Sequence, residues 1–307
     1  MMWKSLLISV IFQGRKAMFE SVGFFSALFN PNLPFFRNAF FAGVLSSVLF
    51  GVLGSVVTVK RISSLAGAIS HAVLGGIGMA LYLSATGIMP NLSPMVGAMV
   101  FALISALIIG FVSLKSKQRE DTVIQAIWAI GMSIGVLFMA KTPGYTDPSS
   151  FLFGNILLIS TQDLVLLLIL DVIVVFLAWF FYPQIEATAF DEEFAKVRGV
   201  PTQKVFLAIL SVSAIAVVLL QTFVGIVMVI AMLTLPAGTA GFKAKNLASM
   251  MFFATLYSLL FSFGGLALGW TLDMPVGAMV VVLAGAFFLG RSLGNLIRKR
   301  SMKHDKS

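Results

Sequence analysis

From about residue 38 the chain is a succession of apolar runs, each close to the length needed to cross a bilayer. They fall at 38–59, 65–86, 95–114, 122–140, 164–182, 205–220, 224–241, 247–268 and 275–290. A helix needs roughly 20 apolar residues to cross the hydrocarbon core, where every backbone N–H and C=O must be satisfied within the chain. Runs of this length therefore specify helices. Nine of them in 307 residues leave little length for a soluble domain. The expected fold is all-α, a polytopic transmembrane helix bundle of about nine spans. Only Gln221, Thr222 and Phe223 separate the runs 205–220 and 224–241. That pair reads either as a tight hairpin or as one long span with a re-entrant segment, so eight spans is the alternative count. Charged residues make up 11% of the chain, against about 25% in a soluble domain. That excludes a soluble enzyme and a disordered chain.

The scarce charges orient the bundle. Cytoplasmic loops of membrane proteins are enriched in Lys and Arg. With Lys60 and Arg61 placed inside, sixteen of the 21 basic residues fall in inner segments, including Lys196, Arg198, Lys204, Lys243 and Lys245. Lys141 alone falls in an outer loop. Lys4, Arg15, Lys16 and Arg37 precede or open the first run. The C-terminus is then cytoplasmic, and the net charge of +9 marks orientation rather than a nucleic-acid partner. The apolar stretch 5–12 is too short to span. Residues 1–35 read as an N-terminal interfacial or extension segment, broken by Pro31 and Pro34. There is no Cys, hence no disulfide framework and no thiolate metal site.

Small residues recur at four-residue spacing: Gly43, Ser47, Gly51 and Ser55 in the first run, Gly131 and Gly135 in the fourth, Gly290 and Gly294 near the end. Such stripes let helix backbones approach closely in lipid. The expected use is packing within the bundle, with subunit contact as the alternative. Two polar residues stand out inside the apolar runs. His71 lies in Ser70-His71-Ala72, and imidazole is a favoured ligand for transition metals. The residue itself admits two readings, a pathway ligand or a hydrogen-bonded packing residue. Asp171 lies in Leu170-Asp171-Val172, where burial is costly enough that it must face protein or water. It reads as a cation-pathway residue or an inter-helix hydrogen bond. Gln221 and Asp273 fall near run ends and are expected to be partly hydrated.

The segment Phe190-Asp191-Glu192-Glu193-Phe194-Ala195-Lys196-Val197-Arg198-Gly199 differs from its surroundings. It is charged, has helical spacing, and ends in Gly199-Val200-Pro201. Phe190, Phe194 and Val197 share one face. A short amphipathic helix on the cytoplasmic side suits a docking surface for a soluble partner, the alternative being a helix lying on lipid. No G-x-x-x-x-G-K-[ST] phosphate loop and no Gly-Lys pair occur, so ATP hydrolysis is expected elsewhere.

Four stretches together resemble the permease subunits of zinc/manganese/iron-type ABC importers. They are Val59-Lys60-Arg61-Ile62-Ser63-Ser64-Leu65 running into Ala68-Ile69-Ser70-His71-Ala72-Val73-Leu74; Glu120-Asp121-Thr122; Pro143-Gly144-Tyr145 with Ser150-Phe151-Leu152-Phe153-Gly154-Asn155-Ile156-Leu157; and Phe190–Pro201 followed by Val224-Gly225 and Leu235-Pro236-Ala237. The resemblance covers about residues 33–292. It implies a permease domain over 36–292, with 190–200 as the coupling helix and 293–307 as a basic cytoplasmic tail. It also implies a bacterial inner membrane, a second permease copy (identical or different), two ABC ATPase subunits and an extracytoplasmic metal-binding protein. Zn²⁺, Mn²⁺ or Fe²⁺ is the transported substrate, moved by alternating access, with no permanently bound cofactor. His71 and Asp171 become metal-pathway residues. Phe190, Asp191, Glu192, Glu193, Phe194, Ala195 and Gly199 become ATPase-docking residues. The sequence departs from the family at two points. Gly67 stands where members commonly carry an Asp one turn before the His, and Gly75 where they usually have Pro. The competing reading is a stand-alone secondary transporter or channel, which would be marked by inverted repeats and several pathway carboxylates. Neither is evident.

Overall fold

The computed structural model describes residues 24–30, 33–115, 120–144, 151–152, 154, 156 and 159–304. Within these the chain is helical, in the order α1 (Phe24–Leu28), α2 (Pro34–Val59), α3 (Ser63–Ala85), α4 (Pro94–Lys115), α5 (Glu120–Lys141), α6 (Thr161–Phe180), α7 (Tyr182–Phe190), α8 (Glu192–Val197), α9 (Thr202–Val224), α10 (Ile226–Gly241), α11 (Leu247–Leu272) and α12 (Val276–His304). Each of the nine apolar runs has become a helix. Eight of them, α2, α3, α4, α5, α6, α9, α11 and α12, are long and apolar enough to cross a membrane. The ninth, α10, has 16 residues, about 24 Å at 1.5 Å per residue.

The helix ends follow local chemistry. Pro34 sits at the start of α2, where its missing N–H costs nothing. Ser160 and Asp163 form a reciprocal capping box on α6, and Asn246 and Ser249 form one on α11. Asp273 closes α11 in the left-handed conformation. The break between α9 and α10 is not where the polar triplet suggested. Gln221, Thr222 and Phe223 continue α9, and the chain turns at Gly225, whose φ of 85° is open to glycine at little cost. Backbone freedom, not polarity, decides the break. Gly154 lies against it: a Cβ there would collide with the backbone of Val224 and Gly225.

α2 and α3 are the innermost long helices. α2 packs against α11, α10 and α6, while α3 lies between α5 and α4 and also meets α9 and α10. The small residues predicted to let helices close do so in two of the three stripes. On α2, Ser47 Oγ meets Ser262 Oγ of α11 at 3.4 Å, and a Cβ on Gly51 would run into the backbone of Thr255. The hydroxyls of Ser47 and Ser55 donate back to the carbonyls of Gly43 and Gly51, so neither needs a partner from lipid. On α5, Gly131 and Gly135 press on the backbone of α3 at Ala72 and Leu74. Gly290 and Gly294 depart from the pattern: a Cβ on either would meet nothing within 4 Å, although Arg291 beside Gly290 reaches Tyr257 and Phe242.

Contacts between elements fix which ends share a side. Asn38 Nδ2 donates to the Ile159 carbonyl, placing the start of α2 beside the start of α6. At the other end Lys60, just after α2, reaches Thr188 of α7. α10 runs beside α2 from end to end: Met228 and Ala39 line one cavity, and Ala237 and Ala240 cluster near Val59. The described part of the N-terminal segment, α1, packs Phe24 edge-on to Phe36 and Phe263. Residues 1–23, with Lys4, Arg15 and Lys16, lie outside the described residues, as do Pro31, Lys117, Arg119 and most of the outer-loop motif 145–158. α12 continues as helix through the basic stretch to His304.

Candidate permeation and docking sites

His71 stands on the third turn of α3. Its ring stacks on Trp128 of α5, centroids 4.5 Å apart and planes 14° from parallel. The indole N–H is turned away toward Met132 Sδ, 3.3 Å distant. The imidazole Nδ1 is buried without a hydrogen-bond partner among the described residues. A packing histidine normally satisfies that nitrogen, so the position is free of the hydrogen bond that would explain it. The space one turn earlier is also free, since a Cβ on Gly67 would meet nothing within 4 Å. Gly75 is the opposite case. A Cβ there would lie 2.8 Å from the Gly131 carbonyl, within the close α3–α5 contact.

Asp171 lies on the buried face of α6 with Leu167, Leu170 and Val174. It is only 5% exposed, and neither carboxylate oxygen has a partner among the described residues. α6 packs chiefly on α2, whereas α3 packs chiefly on α5 and α4, so His71 and Asp171 belong to different helix contacts. Among the described residues, no group of three or more His, Asp or Glu side chains is placed to hold a metal ion. Gln221 overturns its expectation of hydration: it is 4% exposed, and both amide atoms lack partners. Its place in the run suggested an end, but α9 extends a further turn around it. Asp273 is exposed as expected.

The charged segment forms α8. The Asp191 carboxylate accepts from the Phe194 N–H at 2.9 Å and caps the helix. Glu192 and Lys196 pair at 3.0 Å across one turn. The helix ends where Gly199 takes φ 81°, and Val200 N–H bonds back to the Ala195 carbonyl. These devices fix a six-residue helix that would not persist alone. Ala195 is fully buried beneath it, while Phe190, Phe194 and Val197 are 63%, 51% and 88% exposed. Arg198 lies over the Phe194 ring at 5.1 Å. Phe194 and Val197 are thus displayed outward on a capped helix, whereas Phe190, expected on the same helical face, closes α7 on the other side of the extended Asp191.

Two polar ties hold this end to the bundle, and neither is legible from residue spacing. Lys60 Nζ donates to the Thr188 carbonyl at 3.0 Å, joining the α2–α3 turn to the end of α7. Burial lowers the Lys60 pKa, and the Glu192 charge opposes that shift. The Glu192 carboxyl is held below its usual range, first by the hydrogen bond with Lys196. Tyr182 Oη donates to Glu186 at 2.7 Å and accepts from the Ala248 N–H at 3.1 Å, tying α7 to the start of α11. Burial raises its pKa, and the hydrogen bond to Glu186 adds to the shift.

A bundle of eight span-length apolar helices with a short, capped helix at one end is the architecture of a polytopic membrane protein. The chain belongs to the ABC 3 transport family, whose model matches residues 32–295. It is 36% identical over 255 residues to a protein of Chlamydia trachomatis described as a probable metal transport system membrane protein, covering 83% of this chain and 86% of that one. It is 31% identical over 271 residues to the manganese transport system membrane protein MntC of Halalkalibacterium halodurans, covering 86% and 90%. Among solved structures it is similar to PsaBC from Streptococcus pneumoniae in complex with Fab, with a TM-score of 0.76 and 28% identity, covering 87% of this chain and 93% of that one. The resemblance read from the four sequence stretches holds at the level of the family.

Proposed function

We propose that this chain is the membrane permease of an ATP-driven importer of a divalent transition-metal ion. The names of the manganese relatives favour Mn²⁺, with Zn²⁺ the next reading. The observation that carries the ATP-driven part is α8. An apolar face held in water by a cap, an ion pair and a buried Ala195 costs free energy unless a partner covers it. A chain with no nucleotide-binding motif needs such a partner. In this reading the end bearing α8, Lys60, Lys243 and Lys245 faces the cytoplasm, the permease domain covers 36–292, and two ATPase subunits dock on two permease copies. An extracytoplasmic metal-binding protein delivers the ion, and movement of α8 alternates access to the path.

His71 contributes a neutral imidazole to that path, its ring held flat by Trp128. The remaining ligands are expected from a second permease copy or from Asp171. Cells lacking the chain should hold less Mn²⁺ under metal limitation, measured by elemental mass spectrometry, and the wild-type chain should restore it. His71→Ala, inserted at a normal level, should leave uptake at that of the deleted strain. Normal uptake by His71→Ala removes the residue from the path. Restoration of Zn²⁺ but not Mn²⁺ reassigns the substrate.

Asp171 gives a second test. A carboxylate at the centre of a span costs about 2.5–3.5 kcal/mol, and nothing described offsets it. Asp171→Leu should therefore raise the melting temperature in detergent while lowering metal uptake. A lower melting temperature with unchanged uptake would make Asp171 a structural hydrogen-bonding group.

A further inference from the structure

Beside the docking end lies an apolar crevice of about 280 Å³, walled by α6, α7 and α9 and floored by α2. Val174 and Leu177 of α6, Ile185 of α7, and Val205 and Ala208 of α9 supply its sides. Lys204 is the one charged residue on its wall. The crevice opens sideways, since Ala208 and Lys204 are exposed and Phe181 is 42% exposed. The outer faces of α6 around it, Val175, Phe176 and Trp179, are exposed and apolar, which marks a lipid-facing surface. Trp179 is 73% exposed at the end of the span, the level at which aromatic residues meet the headgroups. Lys204, the third residue of α9, stands at the same end. From there to Val212 the wall runs about 12 Å along α9 at 1.5 Å per residue, toward the bilayer interior.

The occupant follows from these facts. An empty apolar crevice facing hydrocarbon forfeits dispersion contacts on every lining atom, and the molecule at hand to fill it is a lipid acyl chain. Lys204 makes no ion pair among the described residues. Lys60 is already committed to the Thr188 carbonyl. A free ammonium at headgroup depth favours a lipid of net negative charge over a zwitterionic one. We propose that the crevice binds one anionic phospholipid, its acyl chain along Val174, Val205 and Ala208 and its phosphate on Lys204. The chain also touches Ile185, so the bound lipid wedges α7 against α2 and α9 and steadies the segment that leads into α8.

The test uses the full chain purified in detergent and offered equal amounts of phosphatidylglycerol and phosphatidylcholine, with retained lipid counted by native mass spectrometry. The wild type should retain phosphatidylglycerol over phosphatidylcholine by about fivefold, the size expected of one lysine near an anionic surface. Lys204→Ala should abolish the preference, and Lys204→Arg should keep it. Ala208→Trp, which fills the crevice and leaves the charge, should also abolish it. A monomer melting temperature near that of the wild type shows that each variant is folded. A preference that survives both Lys204→Ala and Ala208→Trp would place the lipid on the other basic residues of this end and overturn the proposal. So would efficient cross-linking between two copies through Ala208→Cys, which would make the crevice a protein interface.

Discussion

Gly135→Leu should prevent the bundle from assembling. A Cβ at this position would lie 2.7 Å from the Leu74 carbonyl carbon and 3.0 Å from the Gly75 nitrogen. These are backbone atoms of a helix held on its far side by α4, whose Gly97 is locked against Gly76 in the same way. A flexible side chain would swing aside, but a helix backbone moves only as a unit. Overpacking a well-filled contact costs about 1–3 kcal/mol and sometimes more, and a rigid obstacle puts this case at or beyond the upper end. The damage also reaches the candidate path. Trp128 stands two turns before Gly135 on α5, so forcing α5 away from α3 unstacks the ring that holds His71. The variant should be nearly absent from the membrane fraction, and what survives should melt well below the wild type. Gly67→Ala and Gly294→Ala are the controls. Neither new methyl meets anything within 4 Å, and alanine is the better helix former, so both should accumulate and melt at least as well as the wild type. Normal accumulation of Gly135→Leu would mean that the α3–α5 contact is not as close as described.

The same glycines show how far the sequence could be read. Each apolar run became a helix because in lipid the backbone has few other ways to satisfy its hydrogen bonds. Length and hydrophobicity therefore suffice, and no periodicity is needed. Spacing of small residues identified the close contacts of α2 and α5, but it also marked Gly290 and Gly294, where an added Cβ would meet nothing within 4 Å. The spacing records a capacity for approach, and only the fold decides whether a helix is present to approach. The α9–α10 turn failed for a related reason. Gln221 looked like a loop residue by polarity, while Gly225 carried the conformation that breaks the chain.

At the candidate sites the residue types were legible and the partners were not. His71 and Asp171 announced themselves as polar groups in apolar runs. The ring on His71 comes from Trp128, on a different helix with α4 between them in the chain. The amine on Thr188 comes from Lys60, which in the sequence marked only orientation. α8 was readable in its charge, its helical spacing and its Gly199 stop, which all lie within ten residues of one another, while the Asp191 cap and the Glu192–Lys196 pair emerged only with the fold.

That local completeness makes α8 the place for the strongest functional test. Phe194→Ala removes half-exposed aromatic surface without touching what builds the helix. Asp191 caps through the backbone N–H of residue 194, not its side chain, and the Glu192–Lys196 pair is unaffected. The loss of the Arg198 contact on the ring costs no more than about 1 kcal/mol at an exposed site. The permease should therefore insert and melt as the wild type does. Aromatic anchors at the centre of an interface commonly contribute 2–4 kcal/mol to binding, about thirtyfold or more in Kd. The ATPase recovered with the affinity-tagged chain from its own membranes should fall accordingly, and metal uptake should fall with it. Trp179→Ala, which removes a more exposed aromatic from α6, should change neither. The joint outcome separates the two transport readings. Lost ATPase with lost uptake means that the chain moves its substrate only when a motor grips α8. Unchanged recovery and unchanged uptake mean that α8 is not the docking element, and a transporter working without an ATPase becomes the better account. Lost ATPase with normal uptake would separate docking from transport altogether, because the substrate would then cross without the motor.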